Sequence, residues 1–193
     1  MRKRKTQEKF VVMGIDQSLT GTGICMPNGV ADVCRMPSGK GKLTGPTRLI
    51  HILKWLNERI DECNPTHVCW EAYSYGSKGR ALFEIGELGG CVKLLVLSRG
   101  IPIIAVPPKT LKKFVTGNGN AKKDQMREAV HERWGYWYED DNEADAHALM
   151  QYGYEWLRAS RDDSPDPEID KLMQEVKYFA VGKKMQSFAI EFS

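Results

Sequence analysis

Val11-Val12-Met13-Gly14-Ile15-Asp16 runs directly into Gln17-Ser18-Leu19-Thr20-Gly21-Thr22-Gly23-Ile24. An apolar run of strand length ends on one carboxylate. A Gly/Ser/Thr turn follows, then a second short apolar run, Ile24-Cys25-Met26. This pattern predicts a β-hairpin that holds Asp16 at the lip of a sheet. A charge at the end of a buried strand is costly unless a cation meets it. The reading therefore turns on which carboxylates and cations join Asp16.

Outward from this hairpin, Asn28-Gly29 signals a tight turn into a third strand, Val30 to Arg35. Pro37 to Gly45 is a Gly/Lys/Ser loop. Pro46 opens a helix with Leu49, Ile52, Leu53, Leu56 and Ile60 on one face, and Asn64-Pro65 stops it. Thr66 to Trp70 is a short strand delivering Glu71. A long helix spans about Gly79 to Ser98 and contains Gly86, Gly89 and Gly90, each costly in a helix interior. Two readings of these glycines stand: a kinked helix, or close approach of another backbone such as a second subunit. Ile101 to Val106 is a buried strand, and Pro107-Pro108 leads a short helix through Val115. Ala121 to Trp134 and Asp141 to Ala159 are helices. The order is three strands joined by hairpins, then α-β-α-β-α. It predicts an α/β fold with a central mixed five-stranded sheet flanked by helices on both faces. Residues 1–9 read as a basic arm, 10–160 as one domain, and 161–193 as a C-terminal extension with a strand-like Ser187 to Phe192.

Composition excludes several classes. The 193 residues suffice for one core. No apolar stretch reaches transmembrane length, and no signal-peptide core follows the basic N-terminus, so the expectation is a cytoplasmic protein. The five cysteines form no Cys-x-x-Cys pair and read as buried thiols. The net charge of +3 is small, but its distribution is not uniform. Lys109 to Lys123 is lysine-rich and Asp140 to Asp145 is acidic, which suits a protein that grips phosphates and holds metal ions.

Asp16 and Glu71 both terminate buried strands. If those strands are parallel neighbours, about 4.8 Å apart, the carboxylates stand side by side. A divalent cation would relieve their repulsion, and hard oxygen ligands favour Mg²⁺ or Mn²⁺ over zinc. Asp145 can join from the last helix, and Asp141 shares its face. Each acid also has an ordinary reading: Asp16 as a turn cap, Glu71 as a surface charge, Asp141 as a helix N-cap. Lys112 and Lys123 flank the Gly/Asn loop and would contact substrate phosphates. Lys109, Lys113 and Lys122 also suit a solvated face. His147 is two residues past Asp145 and suits a structural role. Tyr73 and Tyr75 suit either base stacking or packing.

Taken in order, Gly14-Ile15-Asp16-x-Ser18-x-x-x-x-Gly23, Glu71, Val106-Pro107-Pro108-Lys109-Thr110-Leu111-Lys112-Lys113, Thr116-Gly117-Asn118-Gly119-x-Ala121-x-Lys123-x-Gln125 and Ala144-Asp145-Ala146-x-Ala148-Leu149 resemble the RuvC-type Holliday junction resolvases, in particular a bacteriophage relative. The resemblance covers about residues 10 to 159. It implies an RNase H-like fold and a homodimer through the 79–98 helix. It also implies binding of four-way DNA junctions and symmetric, Mg²⁺-dependent nicking. By position, Asp16, Glu71 and Asp145 match family carboxylates, and Lys112 and Lys123 match lysines near the scissile phosphate. Two ions per site are implied, with Mn²⁺ as a substitute. The fourth ligand position holds Asn142, with Asp141 beside it. The wedge aromatic position holds Ser74. Tyr73, Tyr75, Lys78, Arg80, Lys109, Lys113 and Lys122 form the expected DNA-binding set. Two alternatives follow from the same residues: a broader nuclease for branched, flap or fork DNA, and a non-catalytic junction-binding protein. Actin-like ATPases share the first motif but need a second Asp-Gly-rich phosphate loop, which is absent here.

Overall fold

A computed structural model describes residues 10–37, 39–73, 80–161, 171 and 174–181. β1 (Val12–Asp16), β2 (Gly21–Cys25) and β3 (Ala31–Arg35) form an antiparallel meander. Gly29 turns the second hairpin at φ +83, donating to the Met26 carbonyl, and only glycine adopts that conformation without strain. α1 (Gly45–Cys63) follows, ended by Asn64 in the left-handed region and by Pro65. β4 (His67–Glu71), α2 (Arg80–Ser98), β5 (Ile103–Val106), α3 (Pro108–Thr116), α4 (Lys123–Trp134) and α5 (Asp141–Ala159) complete the predicted order.

The strands lie in the order β3-β2-β1-β4-β5-β6, with β4 parallel to both β1 and β5. The sheet thus has six strands where the sequence predicts five. The sixth, β6 (Lys177–Phe179), pairs antiparallel with the edge strand β5. It is three residues long and its first two are exposed, so it carries no hydrophobic alternation to read. The strand-like Ser187 to Phe192 lies outside the described residues.

Each face of the sheet is buried. Met13, Ile15, Ile24, Val68, Trp70 and Ile103 pack against α1 and α2 through Ile52, Leu56, Leu88 and Leu95. Val12, Cys69, Ile104 and Val106 pack against α3–α5 through Leu111, Val130 and Leu149. This alternation decides where the strand-end acids point. Asp16 shares the face of Val12 and Gly14, and Glu71 that of Cys69, so both belong to the α5 side.

α2 runs unbroken from Arg80 to Ser98, so its glycines do not break the helix. A Cβ on Gly89 would lie 2.7 Å from the Tyr73 ring and 2.8 Å from Gln17 Oε1, so this glycine serves packing within the chain. Gly86 and Gly90 meet nothing within 4 Å and face outward. No helix among the described residues is long and apolar enough to cross a membrane.

Candidate active site

The parallel register sets Ile15 opposite Trp70, so Asp16 and Glu71 occupy the next row of adjacent strands. Strand spacing puts their backbones about 4.8 Å apart. Asp145 arrives from the first turns of α5, and glycines let that helix approach. A Cβ on Gly14 would overlap the Ala146 carbonyl and lie 2.7 Å from the Met150 nitrogen. A Cβ on Gly23 would overlap the Asn142 carbonyl. The backbone of α5 therefore rests directly on β1 and β2. Asp145, one residue before Ala146, is held within electrostatic reach of both strand-end acids.

The three carboxylates strain one another. Burial, then the charges of Glu71 and Asp145, push Asp16 well above the usual carboxylate range. Burial and Asp145 push Glu71 from 4.5 to about 7, against the opposing charge of Lys112. Burial and Asp141 push Asp145 from 3.8 to about 6, against Lys112 and Lys123. Asp16 is only 7% exposed, so water relieves little of this. Among the described residues no three His, Cys, Asp or Glu side chains converge closely enough to enclose an ion. The donor chemistry nevertheless fits a hard divalent cation: buried oxygens whose negative charge the nearby lysines do not balance.

The N-terminus of α5 is anchored at several points. Asp140, not Asp141, caps it: Asp140 Oδ1 accepts the Asn142 N–H at 2.8 Å and the Asn142 side-chain amide at 2.7 Å. Asp140 Oδ2 also accepts from Arg35 at 2.6 Å, a contact from β3 that decides which of two adjacent aspartates caps. Asp141 instead pairs with Lys123 at 2.9 Å and lies 3.4 Å from Arg127. Neither arginine stands out in the sequence, because each acts only through its tertiary partner.

Lys109, Lys113 and Lys122 are exposed along α3 and the start of α4. Lys112 is partly buried. Tyr73 is used in packing: its ring meets Trp70 edge-on at 5.3 Å and its hydroxyl donates to the Gly86 carbonyl. Tyr75, Lys78, Ser74 and the side chain of Arg80 lie outside the described residues. His147 is fully buried, 2.9 Å from the Tyr138 hydroxyl, with its pKa lowered to about 4 by burial.

Residues 12–149 match the family model described as crossover junction endodeoxyribonuclease RuvC. The chain belongs to the RuvC family. The RuvC of Salinibacter ruber is 32% identical over 125 residues, covering 61% of this chain and 68% of that protein. The RuvC of Anaeromyxobacter sp. is 30% identical over 145 residues, covering 72% and 78%. For the RuvC of Chlorobium phaeovibrioides the identity is 30%, and the match spans 65% of its length. Among solved structures, T. thermophilus RuvC in complex with Holliday junction substrate matches with a TM-score of 0.63 at 19% identity, covering 89% of this chain and all of that one. A second T. thermophilus RuvC structure matches with a TM-score of 0.57 at 21% identity. The fold is therefore the RuvC, RNase H-like one.

Proposed function

We propose that this protein is an endonuclease that resolves four-way DNA junctions by paired, symmetric nicks, working in the bacterial cytoplasm. One observation carries the reading: a buried triad of mutually repelling carboxylates on one sheet face, flanked by lysines, in a chain of the RuvC family. Asp16, Glu71 and Asp145 would hold divalent ions, two Mg²⁺ per site with Mn²⁺ as substitute, and Asp141 or Asn142 would complete the set. When bound, such ions supply an activated water and offset charge on the departing oxygen. Lys112, whose charge already acts on Glu71 and Asp145, stabilises the phosphate. Lys123, 74% exposed, stands at the rim to meet it.

DNA is gripped by Lys109, Lys113 and Lys122, with Tyr75, Lys78 and Arg80 as further members of the DNA-binding set. These phosphate contacts make binding fall steeply with salt. The nuclease domain is residues 10–160, preceded by a basic arm at 1–9 and followed by the extension at 161–193. Two subunits join through α2. Phe83, Glu87, Gly90 and Leu94 form an exposed stripe at spacings of four, three and four residues, with Phe83 74% exposed. Such a stripe is a helix-pairing seam, and the outward glycines allow close approach. A two-fold dimer matches the two-fold symmetry of a junction.

The test is cleavage of an end-labelled four-way junction by wild type and Asp16→Asn, with Mg²⁺ and with EDTA. Symmetric nicks by wild type alone, only with metal, and junction binding kept by Asp16→Asn are the expected results. Equal cutting of flap and fork controls would move the reading to a broader branched-DNA nuclease. Tight binding without cleavage in Mg²⁺ or Mn²⁺ would make it a junction-binding protein.

A further inference from the structure

On the α2 face of the sheet, at the carboxyl ends of β4 and β5, lies a cavity of about 650 Å³. That volume is within the roughly 300–1,000 Å³ of small-molecule sites. It holds a single nucleotide and is too small for a duplex. Its lining combines flat rings with cations. Trp70 and Tyr73 meet edge-to-face, and Phe179 of β6 adds a third ring. Lys93 Nζ stands over both the Trp70 and Tyr73 rings, 5.3 and 4.9 Å from their centroids. Lys109 and Lys177 also line the cavity. None of these three lysines is ion-paired among the described residues, whereas the lining acid, Glu175, already accepts a hydrogen bond from Thr110. The cavity is thus positive and aromatic together. Trp70 is 2% exposed, so it forms the floor of the cavity rather than projecting into it.

The cavity adjoins the carboxylate site across the end of the sheet. Ala72, which lines it, follows Glu71 directly and donates its N–H to the Val106 carbonyl at 2.8 Å. Pro107, next after Val106, lines it too. The cavity therefore begins one residue beyond Glu71.

We propose that this cavity receives one unpaired nucleotide of the branched DNA, its base against Trp70, Tyr73 and Phe179 and its phosphate among Lys93, Lys109 and Lys177. This rests on the nuclease reading of the carboxylates. Aromatic faces accept any base and lysines accept any phosphate, which is the chemistry of single-strand recognition. A base within a continuous duplex must be unstacked to enter, whereas one at a branch point is already loosened. The cavity therefore selects for branches, and β6 builds one of its walls.

Junctions carrying one 5-iodouracil at successive positions around the nick, bound by the full chain in EDTA and irradiated, test the assignment. Crosslinks at Tyr73 or Phe179 from one of these positions are expected. Cleavage should fall about tenfold in Phe179→Ala, the scale of losing one base–aromatic stack. Lys177→Glu, an exposed change that leaves the core alone, should lower it as well. Crosslinks only at other sites, with both variants cutting at the wild-type rate, would mean that DNA does not use the cavity, and the proposal falls. Normal cleavage without cavity crosslinks overturns the cavity alone. Cavity crosslinks without any cleavage uphold it and overturn the nuclease reading instead.

Discussion

Replacing Glu71 by glutamine should stabilise the metal-free protein at alkaline pH while removing cleavage. Glu71 is pushed from 4.5 to about 7, chiefly by burial and next by Asp145. Because the folded-state value exceeds the unfolded one, the native protein holds more protons between about pH 4.5 and 7. The stability tied to Glu71 is whole below pH 4.5 and is lost as pH rises through 7. At about 1.4 kcal/mol for each tenfold change in proton affinity, the loss at pH 8 is roughly 3 kcal/mol. Glutamine keeps the shape without the charge but carries its own burial cost, so about 2–3 kcal/mol should be recovered. For a chain of this size that is a Tm rise of roughly 5–10 °C. The assay is thermal unfolding of wild type and Glu71→Gln in EDTA at pH 4.5 and pH 8. The difference between the two proteins should be small at pH 4.5 and large at pH 8. Taking the difference cancels groups that do not feel Glu71, including His147, whose contribution runs the opposite way; Asp16, which does feel it, relaxes in the variant and adds to the gain. Added Mg²⁺ should stabilise wild type more than the variant. A variant no more stable than wild type at pH 8 would refute the claim that Glu71 is held against its own charge.

Gly14→Ala should cost about 3 kcal/mol or more, or prevent folding, because the new methyl overlaps the Ala146 carbonyl and neither β1 nor α5 can retreat cheaply; urea unfolding measures it. His147 is held at about 4, so its contribution is present above pH 6.5 and lost as pH falls through 4. Acid titration of wild type and His147→Gln should therefore show a shallower acid loss in the variant. Phe83→Asp should convert the proposed dimer to a monomer by light scattering and uncouple the paired nicks; a surviving dimer places the seam away from α2.

Much of the site could be read from local pattern. Asp16 and Glu71 are marked by apolar runs that stop on an acid, and α5 has the bounds its spacing predicts, Asp141–Ala159. The adjacency of β1 and β4, which brings the two acids together, is a tertiary fact that periodicity does not contain. The same is true of the cap: Asp140 and Asp141 are equivalent as sequence, and a distant arginine on β3 distinguishes them. That Tyr73 also packs within the chain was not legible, because its partner, the gap at Gly89, lies in another helix. β6 was illegible for a different reason. An exposed three-residue edge strand is defined by the backbone it pairs with, not by its side chains.

The anchoring of α5 explains why the carboxylates remain crowded. Repelling groups on a loose helix would separate, and their pKa values would relax. Here the first turns of α5 are pinned by the backbone contacts at Gly14 and Gly23, by the Arg35–Asp140–Asn142 cap, and by Asp141 between Lys123 and Arg127. The positive end of the helix dipole favours acids in this turn but offsets only about 0.3–1 kcal/mol for each. What remains can be relieved in two ways: by taking up protons, as the raised values of Asp16, Glu71 and Asp145 describe, or by taking up a cation. Since protons are scarce near pH 8, the same rigidity that lowers the stability of the metal-free protein should become affinity for a divalent ion under the proposed function. Loosening the cap should therefore act in both directions at once. Arg35→Ala should lessen the alkaline destabilisation and weaken the stabilisation by Mg²⁺, although Arg35 itself touches none of the three acids.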